Sequence, residues 1–201
     1  MVSYMKSSIF LQLTTTAEHS AALARLQSAF AEACSVLGPI VAEHRCWNRV
    51  ALHHLAYKKL REQFPSLGSQ MVCNAIYSVS RSARLIYQNP ASPWSVDKRP
   101  GEALPVLRFA ETAPVYFDRH TLSVRAGVVS MYTLDGRLRF QLGLAPADEN
   151  RFREEKLKEI VLSRNDKGFY LAFAFGDAES SSEASDVPEY LLILEPATLA
   201  A

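Results

Sequence analysis

Apolar and polar positions alternate with two different periods along this chain, and the change of period separates the predicted elements. Residues 8–13 alternate with a period of two, which predicts a half-buried strand. From Thr15 onward the apolar spacing is helical, and Thr15 with Glu18 makes a capping-box pattern at the start of that helix. Because proline removes a backbone hydrogen bond and its ring crowds the preceding turn, Gly38-Pro39 predicts a kink or a break near the end of this helix.

Two further helices are predicted before residue 90. Asn48 is a favourable N-cap for a second helix that runs to about Phe64. A third helix begins near Ser66 or Ser69. Its predicted core positions are Val72, Ala75, Ile76, Val79, Ala83 and Ile86. Three helices with one apolar stripe each indicate a small bundle.

The second half of the chain returns to a period of two. Residues 90–105 carry several Pro and Gly breakers and are predicted to form a loop. Asp135-Gly136 is a strong hairpin signal, and residues 164–168 separate the strands of a second hairpin. The predicted strands are Val106–Phe109, Val115–Phe117, Leu122–Val124, Val128–Leu134, Arg137–Leu142, Leu157–Ser163 and Phe169–Phe175. Many short strands joined by turns indicate a small antiparallel barrel or a strongly bent sheet.

The first strand has no neighbour in sequence with which to pair, so we expect it to join the later sheet. The predicted fold class is therefore α+β, a small antiparallel β-barrel with a three-helix bundle inserted after its first strand. In this division the barrel comprises residues 1–14 and 104–175, the helical bundle residues 15–90, and the connecting loop residues 91–103. Residues 176–201 form an acidic linker and a degenerate strand: residues 176–189 have the composition of a linker, and one more apolar run follows at Tyr190–Leu194.

Composition and charge narrow the classes of protein that this chain can represent. Its 201 residues, 48% hydrophobic and 21% charged, suit one globular domain or two small ones. Residues 1–175 hold 22 basic and 15 acidic side chains, a net +7, whereas residues 176–201 hold six acidic side chains and no basic one. A basic body favours a polyanionic partner. We expect a cytoplasmic protein with no membrane partner, because no long apolar run or signal-peptide pattern is present.

The sequence contains no recognisable catalytic or metal-binding motif. Its three cysteines lack C-x-x-C spacing and are expected to be reduced thiols, and the histidines are poorly spaced for a metal site. Asp118 and His120 face away from Ser123 in a strand, so they do not form a triad with it. We expect no cofactor, no metal and no catalytic residue.

One side of the third predicted helix carries residues that donate several hydrogen bonds or stack on bases. They are Gln70, Asn74, Tyr77, Arg81, Arg84 and Gln88. A solvated helix face is more often rich in Glu and Lys, so this composition favours nucleic-acid contact. The alternative is a helix packed against the loop at 90–105, with Tyr77 covering that loop.

Several segments, taken in order, resemble the N-terminal half of TnpB proteins, the transposon-encoded RNA-guided nucleases related to type V CRISPR effectors. The segments that carry the resemblance are Thr14–Leu23, Phe30–Cys34, Ala51–Phe64, Ser69–Ile76, Phe117–Leu122, Tyr132–Arg137 and Lys167–Phe173. The resemblance implies an oligonucleotide-binding-like barrel, called the wedge, with a helical recognition module inserted after its first strand. In that family the wedge holds a guide RNA, and the wedge and recognition helices together grip a short DNA motif beside the target.

The resemblance also implies roles for individual residues. Gln70 matches a glutamine near the DNA motif, and Asn74 lies one helical turn further on. The residues expected to face phosphates are Lys58, Lys59, Arg61, Arg81 and Arg84. The basic residues expected on the RNA side of the wedge are Arg119, Arg137 and Arg139.

The chain departs from the family where a nuclease domain would begin. The family has a metal-binding aspartate followed by glycine there, and this chain has Glu195-Pro196. A two-metal cut needs several converging carboxylates, so we expect no cleavage. The predicted function is a nuclease-less RNA-guided component that binds guide or structured RNA and target DNA, alone or with a separate nuclease or effector subunit. The alternatives are a protein–protein bridging subunit of a CRISPR or transposon assembly, and a fragment of a longer nuclease.

Overall fold

The computed structural model describes residues 8–176 and 186–196 of the chain. The strands in these residues are β1 (Ser8–Gln12), β2 (Val106–Phe109), β3 (Val115–Phe117), β4 (Leu122–Arg125), β5 (Val128–Thr133), β6 (Gly136–Gln141), β7 (Leu157–Asn165), β8 (Gly168–Phe175) and β9 (Leu191–Leu194). The α-helices are α1 (Ala17–His44), α2 (Arg49–Gln63), α3 (Ser69–Ala83) and α4 (Pro146–Glu154). A short π-helical segment, Arg84–Gln88, follows α3 directly and is called the π-turn.

These elements form two compact units, and the predicted α+β class is confirmed. The sheet unit contains residues 8–26 and 114–176. The helical unit contains residues 27–113 and 186–196. The first turns of α1 therefore belong to the sheet unit, and the rest of α1 belongs to the helical unit.

The sheet unit contains two antiparallel sheets. The first has the strand order β1-β8-β7-β3, so the first strand of the chain joins the later sheet as predicted. The second has the order β4-β5-β6. Closure into a barrel requires the edge strands to pair with each other. Within residues 8–176 and 186–196 no such pairing occurs, and none of the sheets closes into a barrel.

Both predicted hairpins are present, with turns shifted or tightened. In the β5–β6 hairpin Thr133 pairs with Gly136, so the turn lies at Leu134-Asp135 instead of Asp135-Gly136. In the β7–β8 hairpin Asn165 pairs with Gly168, and the predicted five-residue loop shrinks to two residues. Gly136 and Gly168 have φ values of 120° and 106°, a region that favours glycine.

Helix α1 begins one residue later than its predicted cap requires and is not split. Thr16 Oγ1 accepts a hydrogen bond from the His19 backbone N–H at 3.2 Å, so Thr16 is the N-cap. The predicted capping box of Thr15 and Glu18 is wrong by one residue, and the Thr15 hydroxyl instead lies 2.7 Å from the Ser20 hydroxyl. The helix continues through Pro39 to His44.

In the helical unit most residues of α3 are buried, whereas α2 buries only Leu52, Ala56 and Leu60. Asn48 caps α2 as predicted, because its side chain accepts hydrogen bonds from the backbone of Val50 and Ala51. The N-cap of α3 is Gly68, which leaves Ser69 as its first helical residue. All six predicted core positions of the third helix are buried.

Strands β2 and β9 pair antiparallel within the helical unit. Ser35 Oγ on α1 accepts a hydrogen bond from the Phe109 backbone N–H at 2.9 Å and lies 3.2 Å from the Phe109 carbonyl. After β9, the Glu195 carboxylate accepts hydrogen bonds from Trp94 Nε1 at 2.6 Å and Arg99 Nη1 at 3.1 Å. These bonds hold the predicted loop at 90–105 against the end of β9.

Helix α4 has no counterpart in the sequence prediction. It lacks buried residues, but the Phe152 ring packs edge-on against the rings of Phe173 and Phe175 with centroids 5.0 and 5.1 Å away. The predicted acidic linker lies largely outside the described residues. In the part of the chain that the structure describes, no helix combines the length and apolar character needed to cross a membrane.

Candidate nucleic-acid interface

One face of the β4-β5-β6 sheet collects arginine and aromatic side chains. Buried and accessible residues alternate along β5, and the register places every second residue of the three strands on the same side. One side is apolar and buried. The opposite side, called the arginine face, carries Ser123, Arg125, Ser130, Tyr132, Arg137 and Arg139.

Arg137 is fixed across the arginine face by hydrogen bonds to the neighbouring strand. Its Nε donates to Ser130 Oγ at 3.0 Å and its Nη2 donates to the Ser130 carbonyl at 2.7 Å. Its Nη1 donates to the His120 carbonyl at 3.4 Å. Because guanidinium has five N–H donors, these three bonds leave donors for an anionic ligand. Arg139 lies opposite Ser130 in the strand register, and its side chain is exposed.

No acidic residue occurs in β4, β5 or β6, so the charge of the arginine face is not neutralised from within the sheet. The acidic residues nearest to these strands in sequence each bind another group of the sheet unit. Asp135, in the β5–β6 turn, forms an ion pair with Arg25 of α1. Asp118 accepts hydrogen bonds from the backbone of His120 and Thr121, both at 3.1 Å, and so shapes the turn before β4.

The structure places the three predicted RNA-side residues together in the sheet unit. Arg137 and Arg139 lie on the arginine face, and Arg119 is exposed in the turn that leads into β4. The sequence prediction missed Arg125 and Tyr132. The sequence does contain a signal for them, which is the hairpin turn. A two-residue turn fixes the register of a hairpin and therefore the face on which each residue of the flanking strands lies. Tyr132 lies directly opposite Arg137.

The predicted site residues of α2 lie in the helical unit and differ in exposure. Lys58 and Lys59 are exposed. Arg61 is half-buried, and its Nη1 donates to the Leu67 carbonyl, which stabilises the turn between α2 and α3. Arg61 therefore has a structural role, and its contact with phosphates stays a prediction.

The predicted polar stripe of α3 is only partly at the surface. Asn74 is buried, with 5% of its surface exposed, and its side-chain amide donates to Met71 Sδ at 3.8 Å. The predicted surface position is wrong for this residue because the helix is buried on more than its apolar stripe. Gln70, Tyr77 and Arg81 are half-buried, and the Arg49 guanidinium lies 5.2 Å from the centroid of the Tyr77 ring. Arg84, in the π-turn, is exposed.

Arg84 also lines a groove in the helical unit that the sequence analysis did not identify. The groove has a volume of about 620 Å³ and lies where α1 ends, α2 begins and the π-turn passes. Its lining residues are His44, Arg45, Cys46, Trp47, Asn48, Arg84 and Gln88. None of these residues is acidic.

The buried ionisable groups of the helical unit are held neutral. Burial raises the pKa of the Cys34 thiol and of the Tyr87 hydroxyl above their usual ranges. Tyr87 donates its hydroxyl hydrogen to the Pro105 carbonyl. Among the described residues, no cluster of three or more His, Cys, Asp or Glu side chains is arranged to hold a metal ion.

Comparison with known proteins gives no family for this chain: no protein-family model and no curated protein matches it.

Proposed function

We propose that this protein binds RNA through the arginine face and does not cleave it. The observation that carries the proposal is that Arg125, Arg137 and Arg139 share one sheet face with Tyr132, which lies directly opposite Arg137, and that the strands of this sheet contain no acid. Guanidinium groups pair with phosphates, and an aromatic ring on the same face offers a stacking surface for an unpaired base. An open sheet face of this composition suits RNA with single-stranded segments.

The resemblance to TnpB proteins supports a finer form of this proposal. The sheet unit would correspond to the oligonucleotide-binding-like wedge and hold a guide RNA. The exposed Lys58 and Lys59 of α2, with Gln70 of α3, would then contact the DNA beside the target. In this form the protein is an RNA-guided DNA-binding component, and any cutting is done by a separate subunit.

Salt-dependent binding tests the proposal directly. A fluorescein-labelled RNA hairpin with a single-stranded tail is titrated with the protein at about 50 and about 200 mM salt, and binding is measured by anisotropy. We expect the affinity to fall steeply with salt. In the triple variant R125Q/R137Q/R139Q we expect weaker binding and a salt slope, d log K/d log[salt], that is less negative by about 2 to 3.

Two control variants distinguish RNA binding at the arginine face from attraction by the overall positive charge of the protein. R153Q/R164Q/K167Q removes the same net charge from exposed positions on α4 and at the β7–β8 hairpin, and we expect it to retain most of the affinity. R125K/R137K/R139K keeps the charge and is expected to bind between the wild type and the glutamine variant. Equal losses in the two glutamine variants, each shown to be folded by its melting temperature, would refute the arginine face as the RNA site.

Two further assays test whether the protein cleaves nucleic acid and whether it binds a DNA duplex only when RNA is present. The protein is incubated with labelled RNA and DNA in the presence of Mg²⁺, and we expect intact strands. The protein is then loaded with RNA from its native host and offered a DNA duplex that matches it, and we expect binding only with the RNA present. Duplex binding that is equal without RNA would contradict the RNA-guided form while leaving RNA binding itself standing.

A further inference from the structure

The groove at the end of α1 has the residue chemistry of an anion site. Arg45 and Arg84 supply two guanidinium groups, and His44 adds an imidazole. The Asn48 and Gln88 side chains supply amide groups, and Trp47 supplies a large aromatic ring. Charge-assisted hydrogen bonds from paired arginines are well suited to a phosphate group, and tryptophan is well suited to stack on a base.

Arg45 occupies a backbone conformation that most residues avoid. Its φ is +48°, immediately after the last residue of α1. The Cys46 backbone N–H donates to the Val41 carbonyl at 3.2 Å, which closes the helix end in a motif that favours glycine at the position of Arg45. Arginine at such a position costs stability, and strained residues of this kind cluster at functional sites. Its side chain is also held, since Nη2 donates to the Glu102 carbonyl at 2.6 Å.

The π-turn forms the other side of the groove. The Asn89 backbone N–H donates to the Arg84 carbonyl at 3.1 Å, which widens the helix by one residue per turn. Ile86 and Tyr87 are buried while Arg84 and Gln88, one wide turn apart, remain exposed and line the groove. Widened turns of this kind are rare and often occur at functional sites.

Trp47 is supported from behind by the core of the helical unit. Its ring centroid lies 5.7 Å from that of the buried Tyr87, and its carbonyl accepts a hydrogen bond from Ser80 Oγ at 2.6 Å. The aromatic wall of the groove is therefore fixed before a ligand arrives, which lowers the entropic cost of binding.

We propose that this groove binds a nucleotide that carries a terminal phosphate, with Arg45 and Arg84 on the phosphate and Trp47 against the base. The same chemistry is presented by a free nucleoside monophosphate and by the 5′-phosphorylated end of a nucleic-acid strand. The proposal goes beyond RNA binding at the arginine face, because it concerns a different surface and a single nucleotide.

The test measures binding of three probes by calorimetry and by tryptophan fluorescence, to the full chain carrying R125Q/R137Q/R139Q, so that the arginine face does not bind the strands. The probes are adenosine 5′-monophosphate, a hexauridine with a 5′-phosphate and the same hexauridine with a 5′-hydroxyl. We expect the phosphorylated probes to bind with a Kd of about 1 mM or lower and the 5′-hydroxyl strand to bind at least tenfold more weakly. Binding of both phosphorylated probes indicates that a free nucleotide suffices, whereas binding of the phosphorylated strand alone assigns the groove to a strand end.

Matched arginine variants locate the site. R45Q and R84Q are each expected to weaken adenosine monophosphate binding about tenfold or more, since each removes a charge-assisted hydrogen bond. R108Q is the control, because Arg108 is exposed on β2 in the same unit and does not line the groove. The ligand should also slow alkylation of Cys46, which lines the groove, without changing the reaction of Cys73.

Specific outcomes would overturn the nucleotide site. These are the absence of binding of all phosphorylated probes by the folded protein, equal affinity for the 5′-hydroxyl strand, or equal losses in R84Q and R108Q. The arginine-face variant R125Q/R137Q/R139Q is expected to bind adenosine monophosphate like the wild type. Failure of the groove and failure of the RNA interface are therefore distinguishable in the same set of proteins.

Discussion

Gly38 of α1 lies against the backbone carbonyl of Leu107 on β2, so closely that a Cβ at position 38 would overlap that oxygen. The contact lies within the helical unit and brings the helix backbone next to the β2–β9 pair. Gly38 is buried, and the following Pro39 is exposed. The glycine is therefore required for close packing of a helix on a strand, and not for a helix break.

Replacing Gly38 with Ala should destabilise the helical unit. Alanine favours a helix by about 1 kcal/mol over glycine, but forcing a methyl group into a packed backbone contact costs about 1–3 kcal/mol or more. We expect a net loss of unfolding free energy, measured by urea denaturation. Gly143→Ala is the matched control, because no atom lies within 4 Å of a Cβ at that position. A Gly38→Ala protein as stable as the wild type would contradict the close contact.

Features of the fold that depend on neighbouring residues could be predicted from the sequence, and features that depend on residues far apart in the chain could not. The core of α3 was predictable because its apolar residues recur at helical spacing, and the β5–β6 hairpin was predictable from a two-residue turn signal. The burial of Asn74 was not, because it depends on what packs over a polar position. The pairing of β2 with β9 joins strands more than 80 residues apart and leaves no local signal. The arginine face was predicted in part, because Arg137 and Arg139 lie on one hairpin strand, whereas Arg125 and Tyr132 join them only through the register of three strands.

The N-cap of α1 offers a second test of local structure. Removing the Thr16 hydroxyl with Thr16→Ala leaves the His19 N–H without its partner at the helix start. We expect a loss of about 1 kcal/mol, which corresponds to a fall in melting temperature of about 2–4 °C for a domain of this size. Thr14→Ala, at an exposed position before the helix, is the control and should melt like the wild type. A larger loss in Thr14→Ala than in Thr16→Ala would place the cap elsewhere.

The buried Cys34 thiol should be chemically inert in the folded protein. Cys34 is fully buried on α1, and burial raises its pKa above the usual range, so little thiolate forms at neutral pH. Iodoacetamide labelling followed by peptide mass spectrometry should modify the half-buried Cys46 and Cys73 well before Cys34. In denaturant all three should react at similar rates. Rapid labelling of Cys34 in the native protein would show that α1 opens locally.

The Glu195 carboxylate should make stability depend on pH in the acid range. The Trp94 indole N–H, and then the Arg99 guanidinium, hold its pKa below its usual value of about 4.3. A carboxyl whose pKa is lowered by folding stabilises the protein above its unfolded pKa, and this stabilisation is lost as the pH falls through the folded pKa. We expect Glu195→Gln to show a shallower loss of unfolding free energy below about pH 4.5 than the wild type.

A control is needed because a second carboxyl contributes in the same range. Arg151 lowers the pKa of Glu155, so part of the acid slope should persist in Glu195→Gln. Glu32→Gln, which also removes one carboxylate and lies at an exposed position of α1, is measured in parallel as the matched control. Parallel curves for the wild type and Glu195→Gln between about pH 3 and 6 would mean that the contacts of Trp94 and Arg99 with Glu195 do not persist in solution.

Substitutions of Tyr132 distinguish the contribution of base stacking to RNA binding from the contribution of charge on the arginine face. Tyr132 lies opposite Arg137 in the β5–β6 register, and it contributes an aromatic ring, not a guanidinium group, to this face. If an RNA base stacks on it, Tyr132→Leu should lose about 1–3 kcal/mol of binding free energy, whereas Tyr132→Phe should bind nearly as well as the wild type. Because no phosphate contact is removed, the salt slope of Tyr132→Leu should equal that of the wild type, unlike that of R125Q/R137Q/R139Q. Unchanged affinity of a folded Tyr132→Leu protein would restrict the face to phosphate contacts, and a changed salt slope would show that the substitution had displaced the arginines.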